Sequence, residues 1–269
     1  MKLKTSKQSP AYLKVTIDNP PLNLFDPEIA EELTALITQL ENDEELKVVV
    51  FDSANPDFFM AHIDLIRSGE FSLEPGSLGL APWPDVARRF ELAPFLTIGL
   101  LRGRARGVGS EFLQALDIRF ASKEKTKLSQ IEVGCGLIPG GGGLERLPYL
   151  IGRARALEVI IGAEDFDADT AERYGWINRS IPDAELDEFV DRFAKRVASF
   201  EKKAIAAAKR TIYKRVGLAK AEDFNETQNI FFEAITWPET QTRLTNLFKR
   251  GLQENVDFEL NISKELGHQ

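Results

Sequence analysis

The sequence predicts an α/β protein that ends in a helical extension. Strand-like and helix-like periodicities alternate through roughly the first 180 residues, the pattern of a sheet crossed by helices. Residues 47–53 (KVVVFDS) are apolar at nearly every position, as a strand covered on both faces must be. Roughly the last 70 residues carry helical spacing almost throughout.

Taken in order, residues 11–18 (AYLKVTID) alternate apolar and polar and predict a half-buried strand. NPPLN at 19–23 must be irregular, because its two prolines remove donors and hold Asn19 and Pro20 extended. Asp26 is placed to cap a helix over 27–41, with Pro27 at its first position. Ile29, Leu33, Leu36, Ile37 and Leu40 form its buried stripe, and Glu28, Glu31, Glu32 and Glu41 an acidic outer face. Residues 68–84 are rich in Ser, Gly and Pro and predict a surface loop long enough to serve as a lid. If it folds inward, Phe71 and Trp83 shape a pocket.

A short helix near 85–92 and a strand at 97–101 (TIGLL) come next. A glycine-rich turn and a short helix then lead to a strand at 116–121 (LDIRFA). Glycine returns at 134–143 (GCGLIPGGGG), ahead of helices over 144–150 and 152–162. Asp167 and Gly175 read as the cap and the stop of another helix. Residues 184–216 form two helices joined at Ser199 and Phe200. The amphipathic tail 221–252 (Ile230, Phe231, Ile235, Leu244, Leu247, Phe248) breaks at Trp237 and Pro238.

Composition excludes several classes of function. With 34 Lys+Arg against 42 Asp+Glu the net charge is −8, which argues against nucleic acid as the main partner. No apolar stretch approaches a membrane span, and MKLKTSKQSP lacks the apolar region of a secretion signal. One cysteine, Cys135, permits no internal disulfide and fits a reducing compartment, so a cytoplasmic location is expected. Two histidines, His62 and His268, rule out His-rich metal sites, and no metal centre is expected.

The motifs exclude more. Ser110 lies in GVGSE, where Val108 and Phe112 replace the glycines of a nucleophile elbow. Neither glycine cluster is followed by the Lys-Ser/Thr of a P-loop, and GRARGVG has the wrong position and spacing for a dinucleotide fingerprint. Cys135 has no basic partner near it in sequence and reads as a small packed side chain. KKAIAAAKRTIYKR at 202–215 reads as a solvated basic helix face.

What remains is carboxylates beside glycine-rich backbone. Glu111 follows GVGS directly, and Glu132 lies in SQIEVG, just ahead of the IPGGGG run. Main-chain N–H groups at such turns can hold a carbonyl oxygen that gains negative charge, while carboxylates move protons beside it. The plainer reading is that Glu111 complements a helix dipole and that the glycines only make turns.

Five segments, in order, resemble the enoyl-CoA hydratase/isomerase (crotonase) family over about residues 10–250. They are IDNPPLNLFDPE, FFMAHIDL at 58–65, LLRGRARGVGSEFLQALDIRFAS at 100–122, LSQIEVGCGLIPGGGGLERLPYLIGRARALE at 128–158 and DADTAERYGWINRSIP at 167–182. The resemblance implies a crotonase-like spiral of ββα turns with a helical C-terminal trimerisation region, hence a homotrimer or a dimer of trimers. It divides the chain into a ββα core with the coenzyme A thioester site at 1–200 and a helical C-terminal region at 201–269. It implies an acyl-CoA thioester as substrate, with coenzyme A part of that substrate and no separate cofactor.

By the same resemblance, the oxyanion hole is made by the main-chain N–H groups of Ile63 and Val108, and Glu111 and Glu132 are the catalytic pair. Ala61, His62, Asp64, Leu65, Gly107, Pro139 and Gly140 are the matching substrate-binding positions, with Lys249 and Arg250 as candidates for the coenzyme A phosphates. Asp64 also reads as the cap of the turn that follows it. His62 and Val108 replace glycines of the family pattern. If His62 needs a left-handed φ it is strained there, and its ring either meets substrate or turns away. Val108, β-branched, either narrows the acyl pocket or marks a turn with ordinary dihedrals.

The expected reaction is hydration of a 2-enoyl-CoA, with Glu111 as base toward water and Glu132 as acid toward the α-carbon. Double-bond isomerisation and thioester hydrolysis are the alternatives within the family. From another class, a catalytically degenerate acyl-CoA-binding or scaffold protein would bind the thioester without turnover.

Overall fold

The computed structural model describes residues 1–217 and 219–267. A six-stranded sheet, built on the apolar runs seen in the sequence, forms its spine. Its strands are β1 (Leu3–Ser9), β2 (Tyr12–Ile17), β3 (Val48–Ser53), β5 (Leu96–Leu101), β7 (Ile118–Ser122) and β10 (Arg179–Ile181), in that spatial order. Only β1–β2 is antiparallel; every other pair is parallel. Residues 48–52 of β3 are all buried, as their near-continuous apolarity requires.

A second sheet lies beside the first, from β4 (Phe58–Met60), β6 (Arg104–Arg106), β8 (Lys127–Ser129) and β9 (Phe166–Asp167). None of these short strands, nor β1, follows from the sequence periodicity. In three successive turns the chain lays one strand in each sheet, as in β3–β4, β5–β6 and β7–β8, and then leaves for a helix or helical turn. This is the ββα spiral of the crotonase fold.

The helices are α1 (Pro27–Leu40), α2 (Pro82–Leu92), α3 (Val108–Ala115), α4 (Gly143–Ile151), α5 (Arg153–Gly162), α6 (Ala168–Tyr174), α7 (Asp183–Ala198), α8 (Lys202–Val216), α9 (Ala221–Thr236), α10 (Pro238–Arg250), α11 (Val256–Leu260) and α12 (Ile262–Glu265). Asp26 caps α1 by accepting from Ile29 N, and Asp167 caps α6 by accepting from Thr170 N. Gly175 closes α6 in the left-handed conformation that glycine permits. Helix α2 starts three residues earlier than its apolar spacing suggests, because Pro82 enters its first turn. The last two helices, α11 and α12, are too short to leave a periodic signal.

The basic helix α8 has the solvated face expected of it at Lys203, Arg210, Lys214 and Arg215, and departs from it at one residue. Lys209 is buried, donating to the carbonyls of Phe90 and Phe95 and standing 2.8 Å from Asp117. Asp117 also accepts from Thr97 and from the Tyr213 hydroxyl. Burial lowers the Lys209 pKa, and the facing carboxylate opposes that fall. The pair ties the helical region to the spine where β7 begins.

Helices α9 and α10 pack Phe231, Ala234, Leu244 and Leu247 against Ile131, Cys135 and Leu137, so the C-terminal region walls the segment that follows β8. Lys209→Met leaves Asp117 buried without its cation. It is expected to cost about 3 kcal/mol in urea-unfolding stability, the low end for breaking a buried pair.

Candidate active site

Three neighbouring parallel strands end at one place. Met60 of β4 pairs with Ala105 of β6, and Arg106 of β6 pairs with Ser129 of β8. Ile63 lies three residues past Met60, Val108 three past Ala105 and Glu132 four past Leu128, which pairs with Ala105, so the register delivers all three to one end. Open α/β proteins bind ligands outside such carboxyl ends. Here the ends open into a cavity of about 1210 Å³, lined among others by Ile63, Val108, Glu111, Glu132, Trp83 and Phe231.

The two amides are left free by the local geometry. Phe25 bridges Ile63 in parallel through His62 O and Asp64 N, so the Ile63 N–H faces the other way. Val108 is the first residue of α3, where the N–H has no carbonyl one turn earlier to bond. Gly107 turns the chain between β6 and α3 at φ 49°, a conformation suited to glycine. Among the described residues, the non-glycine positions with left-handed φ are Asn23, Ala163 and Gln253. His62 and Val108 therefore fit these turns with ordinary dihedrals.

Glu111 is buried on the first turn of α3, and its Oε1 accepts from the main-chain N–H of Gly141 and of Gly143, both at 2.9 Å. Those bonds fix the carboxyl and leave Oε2 free of protein donors. Burial pushes its pKa up to about 7, against the pull of the Gly143 and Gly141 amides. Glu132 is also buried, and burial, then the charge of Glu111, raise it well above the usual carboxylate range. Gln130 Nε2 lies 3.4 Å from both oxygens of Glu132, and Gln114 holds Gln130 through its carbonyl oxygen at 3.1 Å. At neutral pH this environment favours one ionised and one protonated carboxyl. Neither Gln114 nor Gln130 stands out in the sequence.

His62 turns its ring toward the C-terminal region. Its Nδ1 is 2.8 Å from Ile63 O, which can only accept, and its Nε2 is 3.1 Å from Glu259. An acceptor on each nitrogen favours the imidazolium form. Burial opposes that charge, yet the Glu259 carboxylate outweighs it and raises the His62 pKa. Burial would raise Glu259, but His62 holds it below its ordinary value. Gln253 completes the clamp: its N–H donates to Glu259, its Nε2 to Asp64, and its Oε1 accepts from Leu65 N. Asp64 also accepts from Arg67 N and so caps the following turn.

The remaining sequence-derived positions divide into two groups. His62, Leu65, Gly107 and Gly140 line the cavity, whereas Ala61, Asp64 and Pro139 stand behind its surface. Lys249 and Arg250 end α10 and do not line the cavity, although Leu252 just beyond them does, and Arg250 pairs with Glu265. The 68–84 segment folds inward. Phe71 stacks on Phe25 at 5.8 Å, Trp83 tilts against Phe25 at 4.6 Å, and Asp85 holds Leu78 N. Cys135 borders the cavity as a neutral thiol, since burial pushes its pKa to about 12. No group of three or more His, Cys, Asp or Glu able to hold a metal occurs among the described residues.

The His62–Glu259 pair has a definite pH signature. His62, raised in the fold, contributes fully below its unfolded pKa of about 6.5, and the contribution is lost as pH rises through the folded value. Glu259, lowered, contributes above about 4.5, and this is lost as pH falls through its folded value. Glu259→Gln is therefore expected to cost about 3 kcal/mol near pH 5.5 and progressively less as pH rises through the folded His62 value, measured by unfolding at each pH.

Comparison with known proteins agrees with this geometry. The family model described as enoyl-CoA hydratase/isomerase matches residues 7–253. A short-chain-enoyl-CoA hydratase from Clostridium acetobutylicum is 32% identical over 199 residues, covering 74% of this chain and 76% of that protein. The alpha subunit of the fatty acid oxidation complex of Aliivibrio fischeri is 32% identical over 188 residues, but the match spans only 27% of that longer protein. A solved structure from Streptomyces avermitilis, described as a putative enoyl-CoA hydratase, superposes with a TM-score of 0.94 at 42% identity, covering 100% of this chain and 97% of that one. No helix among the described residues is long and apolar enough to cross a membrane. The chain belongs to the enoyl-CoA hydratase/isomerase family.

Proposed function

We propose that the protein is an enoyl-CoA hydratase that adds water across the 2,3-double bond of an acyl-CoA thioester. The observation that carries this reading is the pair of buried carboxyls on one cavity wall, Glu111 held at its Oε1 by two main-chain amides and raised to about 7, and Glu132 met only by the longer Gln130 contacts and raised well above the usual carboxylate range. Hydration needs a base for water and an acid for the α-carbon at the same moment, and two carboxyls held at different protonation levels supply both.

In the forward direction Glu111 Oε2 takes a proton from water as its oxygen bonds to C3. The π electrons move toward the thioester, and the carbonyl oxygen gains charge. The N–H groups of Ile63 and Val108 receive that charge, each such donor contributing about 3 kcal/mol in comparable sites. Glu132 gives its proton to C2, and the enolate collapses to the 3-hydroxyacyl thioester. Proton return from Glu111 to Glu132 through solvent restores the site. The sequence of steps moves only the atoms of water and needs no electron carrier or metal.

Isomerisation would need a single carboxyl, and nothing in the cavity favours one over the pair. Tyr149, Leu157 and Ile161 form an exposed apolar set on α4 and α5, which supports assembly as a homotrimer or a dimer of trimers. The single buried thiol fits a cytoplasmic setting.

Glu111→Gln and Glu132→Gln are each expected to lower kcat for crotonyl-CoA by about 10²–10⁴-fold. Loss of the enoyl absorbance measures the rate. Wild-type kcat should fall below pH about 7 as Glu111 gains a proton, and again on the alkaline side as Glu132 loses its own. Tight binding of a non-reactive acyl-CoA without turnover at any chain length would instead mark a binding protein.

A further inference from the structure

Trp83 Nε1 is buried without a hydrogen-bond partner, although buried indole N–H groups normally find one. The ring is held from two sides, by Phe25 at 4.6 Å and Phe112 at 5.7 Å, so its direction is set by packing. That direction is toward the chemistry. A Cβ built on Gly141 would stand 2.5 Å from Trp83 Nε1 and 2.4 Å from Glu111 Oε2. The two distances put the unpartnered donor and the free carboxyl oxygen no more than 4.9 Å apart, close enough for one oxygen atom to reach both, and this closeness requires glycine at 141.

A water oxygen set between the two, at hydrogen-bond distance from each, donates to Glu111 Oε2 and accepts from the indole N–H at once. We propose that Trp83 is a catalytic residue that holds the attacking water through one of its lone pairs. This rests on the hydratase reading above and adds a residue to it. A water oxygen has two lone pairs and two protons. With one proton on Glu111 and one lone pair on Trp83, the second lone pair is aimed rather than free to rotate. As the O–C3 bond forms and the O–H bond to Glu111 breaks, the indole keeps its own proton throughout. In the reverse direction the same N–H receives the 3-hydroxyl of the product. The placement also accounts for a donor left unmet by the protein, since its partner arrives with the substrate water.

The test compares wild type, Trp83→Phe, and a protein in which the Trp83 indole is replaced site-specifically by benzothiophene, which keeps the ring area and removes the N–H. Circular dichroism and binding of a non-reactive acyl-CoA thioether verify the fold and the pocket. In the benzothiophene protein kcat for crotonyl-CoA hydration is expected to fall about tenfold, the value of one hydrogen bond, with KM within about twofold of wild type. The acid limb of its kcat profile should move upward, because a donor that favours ionised Glu111 through the shared water is lost. Trp83→Phe should move both quantities in the same direction. A benzothiophene protein with wild-type kcat and acid limb, or with its loss confined to KM, overturns this inference alone. A wild type that hydrates no enoyl-CoA overturns the hydratase reading and this inference with it.

Discussion

The parallel register of β4, β6 and β8 is the constraint on which the site depends. Three strands of only three residues each end side by side, and the first residues beyond them supply an amide, a second amide and a carboxyl. A slip of one residue in β6 would turn Val108 and Glu111 away together, because side chains and N–H groups alternate along a strand. Close packing enforces the register. A Cβ on Gly109 would stand 2.3 Å from Met60 O, so α3 leaves its strand pressed against the end of β4. Glycine at 109 is thus required for contact rather than for dihedral freedom.

Burial then does chemical work that sequence spacing alone could not guarantee. A carboxylate taken out of water tends to take up a proton and lose its use as a base. Glu111 escapes that fate in part, because two main-chain N–H groups of the 141–143 turn bond its Oε1. Glu132 has only weaker amide contacts from Gln130 and meets the field of Glu111, so it keeps its proton more firmly. The difference between the two carboxyls comes from their donors, not from their residue type. It also explains why the glycine run after Pro139 matters beyond turning the chain: Gly140 and Gly141 line the cavity, and Gly143 and Gly141 face Glu111.

Strands β2, β3, β5 and β7 were legible because they run for five or six residues with apolar or alternating positions, and α1 and α6 were legible through their caps at Asp26 and Asp167. The second sheet was not, since three residues carry no period, and its strands hold arginine and lysine among the apolar positions. β1 was hidden for another reason: it is an exposed edge strand, polar along its outer length, held by pairing rather than by a buried face. At the site, Glu111 and Glu132 could be picked out only because glycine clusters flank them. Gln114, Gln130 and the indole of Trp83 had no such marker, as their importance comes from what they face across the fold.

His62 shows how a departure from a family pattern can be absorbed. A side chain at this position needs room, and the room is supplied from nearly two hundred residues away: Glu259 of α11 receives the ring, and Arg106 fixes α11 by donating to Glu259 O while pairing with Asp165. Gln253, left-handed at φ 66°, accepts backbone strain to reach Asp64, Leu65 and Glu259 at once. With a glycine at 62 this turn would have no ion pair to hold it, and its position would rest on the Phe25 bridge and the Gln253 contacts. The histidine therefore converts the C-terminal segment from a cover into a brace for the Ile63 amide. Both ring nitrogens are engaged in doing so, Nδ1 at Ile63 O and Nε2 at Glu259.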